Sequence, residues 1–361
     1  MIWVLLVLYC LIFLTEVFLL IRFQRSFKRP DKFIPPKGVS ILVCARNEEE
    51  NIQECLVGLL SMDYPQSCMQ ILVGNDQSED RTEALIDEII SQARVIEKVN
   101  VIEAKDGLIA KANVLNQLIE KAIHPFIVII DADMRPHPKW LSYVMASLQN
   151  HEMVSGFTQV FSEPGFLNRL QAADWRIVLH SMKVMADWDK PISMLGNNMG
   201  FQRAAYDAVG GFKAQGPTDV EDLALMRQFL RHKFSIKQLV LQSGGAYTKA
   251  QKSFSEILIQ RCRWMNGVFT HHPLLVFPAF LARFWLVIAC TLFFFQPFAG
   301  GLVLCYGFLI NYIKYAQMHF KIKQEPFRFS GIEPAIISLL DTFAGLRILF
   351  RGKVKWKGRQ H

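Results

Sequence analysis

One stretch constrains the fold of this chain more than any other. Pro125 to Pro138 reads P-F-I-V-I-I-D-A-D-M-R-P-H-P. Phe126 to Ile130 is a short apolar, β-branched run, the pattern of a strand buried on both faces. It stops at two carboxylates, Asp131 and Asp133, and Pro136 and Pro138 then forbid more strand. A core strand that delivers acidic side chains at its C-terminal end belongs to an open α/β sheet with its ligand crevice at that edge. Asp-x-Asp there suits a divalent cation held by one or two carboxylates together with phosphate oxygens. A solvated turn accounts for the triplet equally well, because Asp is a common turn residue.

The surrounding chain alternates strands with helices. Val39–Ala45 reads as a strand ending at Arg46-Asn47-Glu48, followed by a helical period at Ile52, Leu56, Leu59 and Leu60. Gln70–Gly74 is a second strand ending at Asn75-Asp76-Gln77-Ser78, with a helix from Asp80 to Ile90. Val99–Glu103 reads as a third strand and Lys111–Ala122 as a helix before the strand at Phe126. Such alternation indicates a mostly parallel sheet covered by helices on both faces. Three of the four strands end in polar or acidic residues, which points to a nucleotide-type pocket on one edge.

The ends of the chain are different in kind. Of 361 residues, 51% are hydrophobic, and the excess lies at the two termini. Ile2–Ile21 is an apolar stretch broken only by Thr15 and Glu16; crossing a bilayer takes ~20 residues, so residues 1–22 read as a transmembrane helix. Arg22, Arg25, Lys28 and Arg29 follow it, which argues against a cleaved leader and sets the N-terminus outside and the following chain in the cytoplasm. Residues 23–38 read as a Pro-rich linker. Residues 273–318 read as a transmembrane hairpin split at Gln296-Pro297, with Arg283 snorkelling near one end. Residues 319–361 hold a third apolar run, Pro334–Phe350. It contains Asp341 and Arg347 and precedes a basic tail, and so reads as an interfacial or re-entrant helix. The net charge of +8 clusters beside apolar segments, so it is assigned to a membrane surface and not to nucleic acid. The seven cysteines show no metal-ligand spacing and read as reduced thiols.

At this point the motifs carry a resemblance. Asn75-Asp-Gln-Ser-Glu-Asp-Arg-Thr82 resembles the Asp-Asp-Gly-Ser-x-Asp-x-Thr motif of family 2 glycosyltransferases. Lys111-Ala-Asn-Val-Leu-Asn116 resembles that family's Lys-x-x-Ala-Leu-Asn helix, and Asp131-Ala-Asp133 its metal motif. Val220-Glu221-Asp222-Leu223 resembles its Glu-Asp base motif. Gln260-Arg-Cys-Arg263-Trp264 matches the Gln-x-x-Arg-Trp motif of its membrane-embedded polysaccharide and lipid synthases, and Trp356-Lys-Gly-Arg359 also recurs there. The series keeps the family order over roughly residues 37 to 359, which is more specific than any single motif. Asn75 and Gln77 depart from the pattern, which leaves Asp76 as the base-contacting carboxylate.

The resemblance implies a GT-A-like α/β domain over residues 39–272, with a nucleotide-binding half at 39–138 and an acceptor half with interfacial helices at 139–272. It implies a nucleotide-sugar donor, UDP-linked in this family type, and a lipid or glycan acceptor at the inner face of the cell membrane. A divalent metal, Mg²⁺ or Mn²⁺, would sit on Asp133 and Asp131, with Asp131 also a donor contact. Arg46, Glu48, Asp76, Lys111, Gln260, Arg263 and Trp264 would bind the donor. Asp222 would be the general base, with Glu221 beside it.

Each role has a plainer counterpart. A lysine at a helix start can meet phosphate with the first amides, or be an ordinary surface lysine. Arg46 and Glu48 can be a charged turn. Carboxylates opening a helix are favoured as caps. Trp264 can stack on a sugar or anchor at a membrane interface. The helix Asn168–Asp187, with Arg169, Trp175, Arg176, His180 and Lys183 among apolar positions, suits a membrane surface or an ordinary one. Met153–Phe161 reads as an edge strand and Met194–Gln202 as the strand under the acceptor. Few C-terminal apolar segments favour single transfer over processive polysaccharide synthesis. A sugar-phosphate nucleotidyltransferase would share the sheet but wants a Gly-rich basic loop after the first strand, which Arg46-Asn47-Glu48 is not. An inactive scaffold would have lost the acidic motifs.

Overall fold

The computed structural model describes residues 2–26, 36–161, 163–216, 218, 220–241, 245–271, 282–322, 328–351, 355–356 and 359–360. They fall into two compact units. One is built from residues 29–159 and 193–249, the other from residues 1–28, 160–192 and 250–361. Residues 160–192 and 250–271, grouped above with the acceptor half, therefore cluster with the terminal helices.

The first unit is a sheet. Its strands are β1 (Val39–Ala45), β2 (Met69–Asn75), β3 (Ile96–Asn100), β4 (Phe126–Asp131), β6 (Met153–Ser155), β8 (Asn198–Gln202) and β9 (Ile236–Gln238), in the order β3-β2-β1-β4-β8-β6-β9. β1 pairs in parallel with β2 and β4, β2 with β3, and β6 with β9, while β8 runs antiparallel to β4 and β6. Ile41, Leu42, Val43 and Ile127 through Ile130 are wholly buried. Each such side chain contributes roughly 1.5–3 kcal/mol of apolar burial. The connections that cover them carry α2 (Ile52–Leu60), α3 (Thr82–Ile90) and α4 (Ala110–Lys121). Register places Ala45 opposite Asn75 and Cys44 opposite Asp131, so β1, β2 and β4 finish level. Strand order reverses between β1 and β4, the point where an open α/β sheet leaves a crevice.

Three strand assignments are corrected. The third strand lies at Ile96–Asn100 and not at Val99–Glu103. Asn113 and Gln117 of α4 donate to the Ile102 carbonyl, and Gln117 accepts the Ile102 N–H, which takes that residue's backbone out of the sheet. The expected edge strand at 153–161 is two short strands in different sheets. β6 is interior, and β7 (Thr158–Val160) joins β5 (Met134–Pro136) and β10 (Ala246–Thr248). The break falls at Gly156, where a Cβ would sit 1.9 Å from Asn198 Oδ1, an atom that accepts the Trp140 indole N–H at 2.9 Å. β8 covers only the second half of the strand expected at Met194–Gln202.

The second unit is helical: α1 (Ile2–Ser26), α6 (Phe166–Ala186), α9 (Phe254–His271), α10 (Trp285–Phe295), α11 (Pro297–Ile322) and α12 (Glu333–Arg351). Among the described residues, two helices are long and apolar enough to cross a membrane, over Val7–Gln24 and Pro297–Ile322. α10 has 11 residues, short of the ~20 a span needs, and the expected start of that arm at residue 273 lies outside the described residues. Most of the expected linker and of the basic tail lies outside them too. Phe23, assigned to the linker, is instead wholly buried in α1 and stacked 4.1 Å from the His180 ring.

A square of alternating charges ties this unit. Arg261 of α9 pairs with Asp174 of α6 at 2.5 Å and with Asp341 of α12. Arg283 pairs with the same two aspartates, at 2.6 Å each. Arg283 therefore spends its guanidinium on carboxylates and does not snorkel. Asp341 is charge-balanced inside the unit, and α12 is not among the helices that qualify as spans. Removing one corner leaves an uncompensated buried charge, which costs about 3–5 kcal/mol, whereas removing an ion pair together is far milder. Asp341→Ala should therefore lower stability in thermal denaturation of the detergent-purified protein by about that amount. The double replacement of Arg283 and Asp341 by Leu should recover most of it; equal losses in the two variants would show that the square is not what holds these helices.

Candidate active site

The level ends of β1, β2 and β4 bring the acidic segments to one edge. At its centre is Lys111, the second residue of α4. Its ammonium donates to Asp131 Oδ1 at 2.5 Å and to the Gly196 carbonyl at 2.9 Å, and lies 3.6 Å from Glu221 Oε1. Glu221 opens α8 (Glu221–Arg231) and is buried; Asp222 follows it. Asp222 accepts the Gly196 N–H on Oδ2 at 2.8 Å and the Leu223 N–H on Oδ1 at 2.7 Å. The one peptide unit at Gly196 thus holds both the lysine and the aspartate. A Cβ there would lie 2.7 Å from Asp222 Oδ2, so the approach requires glycine. The helix cap is Val220, whose side chain offers no oxygen, while Asp219 lies outside the described residues.

Three carboxylates around one ammonium set the electrostatics. Burial pushes Glu221 up to about 7; Lys111 opposes that rise and Asp222 adds to it. Burial also raises Asp222, against Lys111 and the two backbone hydrogen bonds that favour its charged form. For Lys111 burial works against the charge, but Asp131 and Glu221 outweigh it and hold the ammonium above its ordinary range. The Cys55 thiol is pushed up by burial and by Asp133 and Asp131, which marks this edge as negative.

The remaining candidates divide between the two units. Arg46 Nη1 donates to the Asp76 carbonyl at 3.0 Å and lies 3.8 Å from its carboxylate, so the first two strand ends are joined. Glu48 is buried; its N–H donates to Thr82 Oγ1 at 2.7 Å and its carboxylate accepts from Asn51 at 2.8 Å. Asp133 is partly buried, and Thr248 Oγ1 lies at 3.4 Å from Oδ2. Gln260, Arg263 and Trp264 lie on α9 in the helical unit, where Trp264 packs edge-on to Trp175 with ring centroids 5.8 Å apart. Gly196 and Thr248 were not found from sequence. The Leu195-Gly196-Asn197 turn carried the only signal, as a glycine before a strand.

The sheet order, the level strand ends and the carboxylates gathered at the reversal point are those of a GT-A-type fold. More narrowly, the chain belongs to glycosyl transferase family 21, whose family model matches residues 2–361. It is similar to the beta-monoglucosyldiacylglycerol synthase of Synechocystis, 26% identical over 65% of this chain and 48% of that one. It is also similar to the poly-beta-1,6-N-acetyl-D-glucosamine synthase of Staphylococcus epidermidis, 23% identical over 68% of this chain and 58% of that one. These are the lipid and polysaccharide synthase types that the motif series resembles. The chain spans about half the length of the curated relatives it matches. Among solved structures, the mannosyltransferase PcManGT of Pyrobaculum calidifontis, in complex with GDP-Man and Mn²⁺, shares the fold. Its TM-score is 0.61 at 16% identity, over 95% of this chain and 97% of that one.

A pH dependence follows from Glu221. Its folded pKa lies above the ordinary 4.5, so between about 4.5 and about 7 the folded state holds more protons than the unfolded state. Stability therefore falls as pH rises through that window. Denaturation followed from pH 5 to 8 should show this decline in the wild type and a flatter curve in Glu221→Gln. An undiminished slope in the variant would remove Glu221 as its source.

Proposed function

We propose that this chain is an inverting glycosyltransferase that moves a sugar from a nucleotide-diphosphate donor, UDP-linked by its motifs, to a hydroxyl of a lipid or lipid-linked acceptor. The observation that carries the proposal is the Glu221–Asp222 pair gathered with Asp131 on Lys111 at the reversal point of the sheet. Asp222 has both oxygens oriented by backbone N–H groups and still has lone pairs to accept a proton. It would take the proton of the acceptor hydroxyl as that oxygen bonds to the anomeric carbon and the bond to the diphosphate breaks. A single displacement inverts the anomeric centre. Glu221, biased toward its protonated form, limits the negative charge beside the base. Lys111, at the start of α4, offers its ammonium and the first helix amides to the departing diphosphate.

The donor set fits a hard divalent cation, Mg²⁺ or Mn²⁺. Asp131 and Asp133 would supply oxygen ligands on an edge with more carboxylates than cations. Among the described residues no three His, Cys, Asp or Glu side chains complete a shell, so an ion here would take its other ligands from phosphate and water. Such an ion would neutralise charge on the leaving diphosphate. Asp133 is the better ligand, because Lys111 already engages Asp131. Arg46 and Asp76 are assigned to the nucleoside and Glu48 to the loop that holds it. Gln260, Arg263 and Trp264 are assigned to the donor by motif alone.

The membrane setting is supported by the two helices that qualify as spans and by a relative named for a diacylglycerol product. Arg22 and Arg25 at the C-terminal end of the first span would put the sheet unit in the cytoplasm. Processive polymer synthesis is the second reading, favoured by the relative named for a polysaccharide product. The test is to incubate the purified protein with labelled UDP- and GDP-sugars and separate lipid from polymer. Label in a single-sugar lipid supports the proposal, a polymer supports the second reading, and no transfer from any donor by folded protein overturns both.

Two substitutions test the roles. Asp222→Asn should reduce turnover by at least ~10²-fold with little change in donor affinity, because general-base catalysis contributes ~10²–10⁴. Near-normal turnover removes Asp222 from the chemistry. Asp133→Asn should weaken metal-dependent donor binding, since an amide is a poorer ligand than a carboxylate. Activity indifferent both to EDTA and to this change contradicts the metal assignment.

A further inference from the structure

The helical unit contains a basic cavity that the transfer chemistry does not use. It encloses about 70 Å³ and is lined by Arg169, Arg176 and Arg328 with Asn168, Tyr315 and Glu163. A single water needs about 10–15 Å³ by the same measure, so a group the size of a phosphate fits. Arg169 and Arg176 lie on α6, Tyr315 is near the end of α11, and Arg328 follows that helix.

The three arginines are held differently. Arg176 is buried; its Nη1 donates to the Tyr315 hydroxyl at 2.6 Å, and its guanidinium lies 5.0 Å from that ring. Arg169 gives its Nε to Glu333 at 2.7 Å, which keeps its two terminal nitrogens for other acceptors. Glu333 is wholly buried and is also occupied by the Ser330 amide and hydroxyl. Arg328 is exposed, and among the described residues its guanidinium is in no ion pair. Its carbonyl accepts from the Tyr315 hydroxyl at 3.2 Å, which ties the segment to the cavity wall. Among the described residues, the lining carries three guanidiniums and one carboxylate, the exposed Glu163, with Glu333 held by Arg169. Planar guanidinium forks suit the paired oxygens of a phosphate.

The depth of the cavity indicates where such a phosphate comes from. Tyr315 is followed on α11 by His319 and Lys321, so this is the basic end of a helix long enough to span. Basic pockets between helices at that level suit the head groups of anionic lipids. Phe166, at 5.4 Å from the Arg169 guanidinium, and Phe329, at 4.8 Å from the Tyr315 ring, give the surroundings an apolar character.

We propose that this cavity binds a phosphate group, with the phosphodiester of an anionic phospholipid as its source. It rests on the membrane setting proposed above but not on the sugar transferred or on the catalytic residues. The test measures the melting temperature of the full chain in nanodiscs of zwitterionic lipid, of the same lipid with phosphatidylglycerol, and of the former with inorganic phosphate added. It also measures phosphatidylglycerol affinity by titration in detergent. Anionic lipid should raise the melting temperature, and Arg328→Glu should abolish that rise and weaken affinity at least about tenfold, the equivalent of one charge-assisted hydrogen bond. Arg328 is exposed and outside any helix, so an unchanged melting temperature in zwitterionic lipid certifies folding; Arg328→Gln serves as the second variant. A rise with inorganic phosphate equal to that with lipid, lost in Arg328→Glu, supports the site with soluble phosphate as its ligand. No rise with either ligand, or a rise that survives both variants, overturns the proposal.

Discussion

The sheet unit depends on one ammonium. Lys111 is in contact with a strand end, a helix start and a turn at once, through Asp131, Glu221 and Gly196. Without it Asp131, Glu221 and Asp222 would stand as three carboxylates on one partly buried edge, where unscreened like charges are costly. The cation makes the cluster tolerable but does not neutralise it. The surplus is relieved partly by the proton that Glu221 favours, and it leaves the edge receptive to a cationic species. A structural need and a chemical capacity therefore have the same origin. Gly196 completes the arrangement, since its peptide gives a carbonyl to the lysine and an amide to Asp222.

In the helical unit the corresponding constraint is burial of charge among apolar helices. The answer there is alternation: Asp174, Arg261, Asp341 and Arg283 form a closed square in which every charge meets two opposite ones. Glu16 of α1 and Lys314 of α11 form a second buried pair, with Lys314 also donating to Ser181 Oγ at 3.2 Å. Apolar packing alone offers helices many registers of similar energy. Charge pairs that are satisfied in one arrangement only can select among them, which is the best-attested use of buried polar groups. Arg261 sits inside the Gln260-to-Trp264 motif, so the square also fixes which face of α9 carries Gln260, Arg263 and Trp264.

What was legible from sequence follows from the range of the interactions. β1 and β4 announce themselves because a strand buried on both faces must be a continuous apolar run, and their ends at Ala45 and Asp131 locate the crevice. β3 was misplaced because only Ile96 and Val99 of its five residues are buried, and side chains of α4 decide where it ends. The acidic residues of the site could be read as a series of short motifs. Their assembly on Lys111 could not, because Asp131 is 20 positions from it and Gly196 is 85. The charge square was invisible for the same reason. Arg261 lies 87 positions from Asp174, and each of its members has an ordinary local explanation when taken alone.

At the two departures from the family motif, Asn75 and Gln77, the backbone shows how the turn is held. Gln77 has φ of 55°, in the left-handed region where glycine is at no disadvantage and a longer side chain is strained. A glycine at this position would meet no such strain. Here the turn is held by other means: the Ser78 N–H donates to Asn75 Oδ1 at 3.2 Å, and Ser78 Oγ accepts the Asn47 N–H at 3.0 Å. Asn47 itself has φ of 53° and accepts the Glu79 N–H on its side chain at 2.9 Å. Asn is among the residues that tolerate this region best, because its amide can bond locally. The two loops thus brace one another with amide and hydroxyl groups, and Asn75 is used for the turn. Asp76, buried and backed by Arg46, is the carboxylate of this segment proposed above for the nucleoside.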